Sequence, residues 1–417
     1  MSAQSKIEPI LPMEAEQLPL MEAAADLRTE IARLLPGIGA SSREALALLL
    51  RAMNSYYSNK IEGQHTYPSD LEQALQQQFS LDQDVRRRQE LAIAHMQVEE
   101  LLEPVARTMA WGENFSIDWV QRIHQELYQR LDEKSRVIVD AEGVPHGIMV
   151  PGELRSVNVK VGYHEAPPPE TLHELMQHFA NRYRNATGET RKLLLAGSSM
   201  HRLSWIHPFP DGNGRVSRLQ NHLLLSHLGL TGGLWSPLRG LARKQQEYYN
   251  ALSAADLPRR NDVDGRGNLS SKGLADFIEF WLKVCLDQVR FMEQMLALES
   301  LQERFVGLAL QVLYDYGRGP LLHHRSILRP ELLGRALHRL FIEGKMERGE
   351  FKSILDTSDR TATRVIANLI EQRLVTPRSR LGALEPGLPF FSLKHLFPGL
   401  WPEAEGVMTP PPSASIE

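Results

Sequence analysis

The sequence predicts a mainly α protein, a helical core carrying a β-hairpin, followed by a C-terminal winged helix-turn-helix domain. Three observations carry this. Apolar residues recur at three- and four-residue spacing through most of the 417 residues. Alternating polar and β-branched residues are confined to two short stretches, and after residue 300 the helical segments become short and closely spaced. With 42% hydrophobic residues, the chain has enough apolar surface for two or three globular units.

Residues 1–40 carry Pro9, Pro12, Pro19 and Pro36 among acidic residues, which reads as an arm with one short helix near 20–34 and little chemistry. From Ser41, the residues Leu46, Leu50, Met53 and Tyr57 fall at helical spacing behind Ser-Ser-Arg-Glu, a start that suits an N-cap with an early acid. This helix runs toward Ser58–Gly63. Patterns over 69–78 and 82–109 make 41–114 a helical region, and another over 116–131, entered through Ser116, opens a core over 115–298. Strand signals at Arg136–Asp140 and Arg155–Val161, with Gly143, Gly147 and Gly152 between them, predict one β-hairpin. Ala166-Pro-Pro-Pro169 ends it, and helices resume over 170–184, 190–206, 215–228, 240–256 and 271–298. Beyond these, helices over 301–316, 330–343, 347–355 and 361–374 are followed by a segment rich in Pro, Arg and Gly that ends in Phe390-Phe-Ser-Leu393. Two short helices about a tight turn and then such a segment predict a winged helix over 299–400, with a flexible tail over 401–417.

Composition excludes several functions. Lys and Arg number 47 against 51 Asp and Glu, a net charge of −4, so the whole chain is no polyelectrolyte for nucleic acid. The stretch 318–380 is locally basic, with 13 Lys and Arg against 7 Asp and Glu, which permits DNA contact there. The single cysteine, Cys285, allows no intrachain disulfide and no cysteine-based zinc site, and reads as a small buried hydrophobe in a reducing compartment. No run approaches the roughly 18 apolar residues of a membrane helix, and the start MSAQSKIEPILPMEAEQ is too acidic and broken for a signal peptide, so the expectation is a soluble cytoplasmic protein without a membrane partner.

Chemistry concentrates in His207-Pro-Phe-Pro-Asp-Gly-Asn-Gly-Arg-Val-Ser-Arg218. Leu193, Ala196, Met200 and Leu203 line a helix that Pro208 should end just after His207, and Val216, Leu219, Leu223 and Leu224 define the next. The loop therefore brings Gly212, Asn213 and Gly214 to a helix N-terminus, where backbone N–H groups and the dipole favour an anion. Arg215 and Arg218, three apart, can point at the same anion, which suits a polyphosphate. Asp211 is a hard ligand placed for Mg²⁺ on those phosphates. A neutral His207 could take the proton of an incoming hydroxyl as general base. Taken singly, these residues are a helix cap, a turn and a solvated face; together they form a phosphate-transfer constellation.

The segment resembles the Fic family, whose signature His-x-Phe-x-(Asp or Glu)-Gly-Asn-(Gly or Lys)-Arg-x-x-Arg is filled at every specified position by His207, Phe209, Asp211, Gly212, Asn213, Gly214, Arg215 and Arg218. The resemblance covers roughly 40–285 and points to the subgroup with an N-terminal inhibitory helix and a C-terminal winged helix. It implies a helical core with a β-hairpin flap and transfer of AMP from Mg-ATP to a Ser, Thr or Tyr hydroxyl of a target protein or of the chain itself. It also implies that His207 is the base, Phe209 the loop anchor, Asp211 the metal ligand, Gly212–Gly214 the phosphate cradle and Arg218 the partner of the terminal phosphates. Gly214 rather than Lys favours nucleotidyl over phosphoryl transfer. Val161, Gly162, Tyr163 and His164 look like the flap end over the nucleotide, and Tyr248 and Tyr249 like the aromatic contacts of the adenosine. Asp256 stands where relatives often have Asn, which leaves nucleotide preference open.

Ser58-Asn-Lys-Ile-Glu62-Gly63 matches the family's inhibitory motif (Ser or Thr)-x-x-x-Glu-(Gly or Asn). A glutamate brought against Arg218 would occupy the arginine meant for the γ-phosphate. The expectation is thus an autoinhibited protein adenylyltransferase. Two other readings remain: a phosphodiesterase removing AMP from modified protein at the same site, with Glu62 positioning water, and a nucleotide-sensing DNA-binding regulator using Arg360, Thr361, Thr363, Arg364 and Asn368 on a recognition helix. The winged helix could equally serve protein contact or a homodimer.

Overall fold

The computed structural model describes residues 6–35, 38–139, 145–161, 164–316, 328–379 and 382–400. The chain divides into two compact units, one of residues 1–33 and 54–290, the other of 34–53 and 291–417.

α1 (Glu14–Leu34) begins six residues before the predicted start, and α2 (Ala40–Ile61) one residue before Ser41, with 54–61 of α2 belonging to the first unit. The arm ahead of α1 is tied in rather than loose. Ile7 and Ile10 are buried, Arg202 donates to the Pro9 carbonyl at 2.8 Å, and Leu269 N donates to the Glu8 carbonyl at 3.0 Å. Short α3 (Pro68–Leu75) leads to α4 (Gln83–Thr108), capped by Asp82, whose side chain accepts from the Asp84 and Val85 amides. Ser116 caps α5 (Ile117–Tyr128) through Trp119 N, as its position predicted.

The strands depart from expectation. Two separate hairpins form: β1 (Val137–Val139) pairs antiparallel with β2 (Pro145–Ile148), and β3 (Lys160–Val161) with β4 (His164–Glu165). The segment at 155–159, read as strand, is not one, because Arg155 is buried and its guanidinium binds the carbonyls of Val157, Pro167 and His207.

Helices α6 (Leu172–Tyr183), α7 (Glu189–Ile206), α8 (Asn213–His227), α9 (Leu238–Arg243), α10 (Gln245–Asp256) and α11 (Ser271–Leu296) follow, the span 240–256 being two helices rather than one. The core forms where α8 packs on α4, α5 and α7. Val216, Leu219, Leu223 and Leu224 of α8 and Leu193, Ala196, Met200 and Leu203 of α7 are all buried, the faces their spacing predicted. Gly197 lets α7 approach α11, since a Cβ there would stand 2.8 Å from the Trp281 ring. Trp281 Nε1 donates to Asn221 on α8, and Asn221 donates to the Ala196 carbonyl, so the site-bearing helices are cross-linked at their centre.

The second unit packs α12 (Leu298–Tyr316) against α13 (Pro330–Glu343), where a Cβ on Gly334 would lie 2.6 Å from Val306 Cα. Then come α14 (Arg348–Leu355), α15 (Asp359–Glu371) and the antiparallel pair β5 (Val375–Pro377) and β6 (Leu384–Pro386). Ala362, Val365, Ile366 and Leu369 bury one face of α15. Phe390–Leu396, where the segment rich in Pro, Arg and Gly ends, is helix α16, entered behind Pro389. Among the described residues no helix is long and apolar enough to cross a membrane.

Candidate active site

α7 ends at Ile206, and His207 turns the chain in the left-handed region at φ 52° ahead of Pro208. Phe209 is fully buried and stacks on His124 of α5, ring centroids 3.9 Å apart. His124 also fixes the loop by hydrogen bonds, taking the Gly152 amide on Nδ1 (2.8 Å) and facing the Asp211 carbonyl with Nε2 (3.3 Å). Those partners require Nε2–H, and burial pushes His124 down to about 4, so the ring is neutral. Asn213 closes the loop on itself, donating to the Phe209 carbonyl (2.8 Å) and accepting from its amide (2.9 Å). Gly212 sits at φ 81°, where a Cβ would lie 2.1 Å from the Tyr128 hydroxyl, so only glycine fits there.

A cavity of about 390 Å³ opens beside this loop, lined by His207, Gly214 and Arg218 from the signature, Glu62, Val161 and His164, and Tyr248, Tyr249 and Asp256 of α10. Ser204, Trp205, Leu252 and Ser253, which the sequence did not single out, complete its wall. They are ordinary residues of α7 and α10, and only the packing of the two helices marks them. Gly162 and Tyr163 lie outside the described residues.

His207 Nδ1 faces the Ser204 carbonyl at 3.2 Å, which places the ring proton on Nδ1 and leaves Nε2 as the basic nitrogen. Burial pushes the imidazole down to about 4, aided by His164 and Arg155, so it is unprotonated at neutral pH. Asp211 is exposed, and its carboxylate accepts the Gly212 amide at 2.6 Å. Among the described residues no group of three or more His, Cys, Asp or Glu is placed to hold a metal ion, so Asp211 would be a lone protein carboxylate.

The two arginines part company. Arg218 is buried and donates to Ser58 Oγ (3.1 Å), the Ser58 carbonyl (3.0 Å) and Glu62 Oε1 (2.6 Å). Arg215, expected on the same anion, gives Nε to Asn59 (2.9 Å), Nη1 to the Tyr128 hydroxyl (2.8 Å) and Nη2 to Gln64 (2.6 Å). Residues three apart are offset by about 60° around a helix, and here that offset turns Arg215 into the protein while Arg218 faces the cavity. Burial alone would raise the Glu62 carboxyl, but Arg218 and Arg215 hold it below its usual range, so it is ionised. Gly63, at φ 68°, ends α2 just past Glu62. Gly214 is what lets Glu62 in, because a Cβ there would stand 2.3 Å from Glu62 Oε1.

At the far end of the cavity His201 Nε2 meets Asp256 Oδ1 at 3.1 Å, and His164 Nδ1 of β4 lies 3.6 Å from Asp256 Oδ2. Burial opposes the charge on Asp256, yet the His201 contact keeps its carboxyl below the ordinary value.

Residues 114–225 match the model of the Fic/DOC family. The protein adenylyltransferase Fic of Drosophila grimshawi is 31% identical over 138 residues, 32% of this chain and 28% of its own length. That of Drosophila melanogaster is 32% identical over 138 residues, 32% of this chain and 27% of its own. The chain thus spans less than a third of the length of these curated relatives. A solved structure of a Fic family protein from Desulfovibrio desulfuricans G20 aligns at a TM-score of 0.48 and 20% identity, covering 88% of this chain and 96% of that one. The loop from His207 to Arg218 and helix α7 fall inside the matched residues, so the likeness of this chain to the Fic/DOC family resides in 114–225 and includes the site loop.

Proposed function

We propose that the protein is an autoinhibited adenylyltransferase that moves AMP from ATP to a Ser, Thr or Tyr hydroxyl of a protein. The observation that carries this is the occupation of one cavity by a neutral His207, the Arg218 guanidinium and the Glu62 carboxylate. The names of the Drosophila relatives support the nucleotidyl class. In this reading the target oxygen forms its bond to the α-phosphorus as the bond from phosphorus to pyrophosphate breaks, and the hydroxyl proton passes to His207 Nε2. Arg218 would grip the γ-phosphate once Glu62 leaves it, and Tyr248, Tyr249 and Leu252 would flank the nucleoside. Exposed Asp211 suits Mg²⁺, which normally takes one or two protein carboxylates and would neutralise phosphate charge when bound. The test is transfer of α-labelled AMP to the chain and to lysate proteins. His207→Ala should lower it about 10²- to 10⁴-fold with folding intact. Undiminished labelling would remove His207 as the base.

Because Glu62 and His207 share the cavity, the reverse hydrolysis of AMP-modified protein is a second reading, separated from the first by product analysis on modified and unmodified target. For the second unit we propose a winged helix, supported by the order α13, α14, α15 and the β5–β6 pair. Arg360, Thr363 and Arg364 are exposed on α15, as a DNA-reading helix would need, while Thr361 and Asn368 are half-buried. Duplex binding by the full chain that falls steeply with salt would support DNA; none at low salt leaves protein contact or dimerisation.

A further inference from the structure

α2 ends at Ile61, and like any helix end it leaves carbonyls without intrahelical partners. The carbonyl of Ile61, the residue just before Glu62, is taken by two donors from one helix: Gln245 Nε2 at 2.9 Å and the Tyr249 hydroxyl at 2.7 Å. Gln245 and Tyr249 are four apart on α10 and so lie on one face. The same helix places Tyr248, Tyr249, Leu252, Ser253 and Asp256 in the wall of the cavity. On the other side, Asn59 and Gln64, which bracket Ile61, are held by Arg215. The turn that carries Glu62 is therefore pinned on both flanks, and only one flank belongs to the signature loop.

We propose that Gln245 and Tyr249 are positioning residues that fix the Ile61 peptide, and through it hold Glu62 on Arg218, so that the helix forming the nucleotide wall sets how firmly the site is blocked. The proposal rests on the autoinhibitory reading given above. Neither side chain needs to touch a reacting atom for this. With the Ile61 carbonyl released, the turn gains freedom at the peptide adjoining Glu62, and the carboxylate leaves Arg218 more often.

The experiment uses the full chain, with Gln245→Leu, Tyr249→Phe and the pair, each alone and combined with Glu62→Gly. Tyr249→Phe deletes one hydroxyl and keeps the ring. The pair should raise automodification by α-labelled ATP severalfold and speed hydrogen exchange over residues 59–64. Combined with Glu62→Gly, the gain should vanish, because the pair acts only through Glu62. If Glu62→Gly labels faster than wild type and the pair does not, the positioning role is overturned while autoinhibition stands. A gain that persists with Glu62→Gly overturns it as well. If Glu62→Gly itself labels no faster, autoinhibition falls and this proposal falls with it. Should the pair fail to fold, either single variant decides on the same readouts, with a smaller gain.

Discussion

The Glu62 carboxylate accepts a 2.6 Å hydrogen bond from the Arg218 guanidinium across 156 positions of sequence. Burial costs both groups, and each offsets the other's cost: Arg218 holds Glu62 below its usual range, and Glu62 raises Arg218 against desolvation. Removing either partner leaves the other charged in a confined place, and the two losses differ in consequence.

Glu62→Gly frees the guanidinium for an anion and should raise automodification severalfold or more. Arg218→Ala should abolish it. The double variant should match Arg218→Ala, since relief cannot help once the guanidinium is gone. Initial rates of α-labelled AMP incorporation across the four proteins decide this, and a double variant as fast as Glu62→Gly would unlink the two residues.

His95, His124 and His207 are depressed by burial to about 3, 4 and 4. The unfolded chain binds protons at these rings below about pH 6.5 while the folded chain does not, so stability should fall as pH drops from about 6.5 toward 4, and their contribution is fully present above that window. Denaturant unfolding at pH 7.5, 6 and 5 measures the slope. His95→Asn should flatten it, and an equally steep variant would exclude His95 as a source.

Asn213 bonds both the amide and the carbonyl of Phe209 and is buried. Asn213→Ala should therefore cost about 1–3 kcal/mol by leaving those backbone groups unpaired. Thermal and denaturant unfolding read this directly. Unchanged stability with lost activity would instead make Asn213 a phosphate contact.

Asp211→Ala should leave the melting temperature nearly unchanged, because the side chain is exposed, and raise the Mg²⁺ concentration needed for half-maximal transfer. Chelation should silence the wild type. A metal titration identical in both proteins would take Asp211 out of the site.

The helices and the loop from His207 to Arg218 were legible because helical periodicity and a contiguous signature are local properties. The contact of Glu62 with Arg218 was legible because the motif at 58–63 is short and fixed in spacing. The roles of Asn213 and Arg215 were not. Their partners Phe209, Tyr128, Asn59 and Gln64 decide them, and three of these are supplied by other helices or loops. The hairpins were misjoined because alternation identifies extended chain and carries no pairing register. Phe390–Leu396 is too short an apolar run for its period to announce the helix it forms. Gln245 left no signal at all, since a polar residue opening a helix is ordinary until its distant acceptor is known.

Arg155 ties the β3–β4 hairpin to the end of α7. One buried guanidinium holds the carbonyls of Val157 and Pro167, on the two sides of the β3–β4 hairpin, and that of His207 at the end of α7, while its own amide donates to the Pro208 carbonyl. The root of the hairpin and the His207 turn are therefore tied to one side chain. A displacement of that root would reach the His207 peptide through a single side chain.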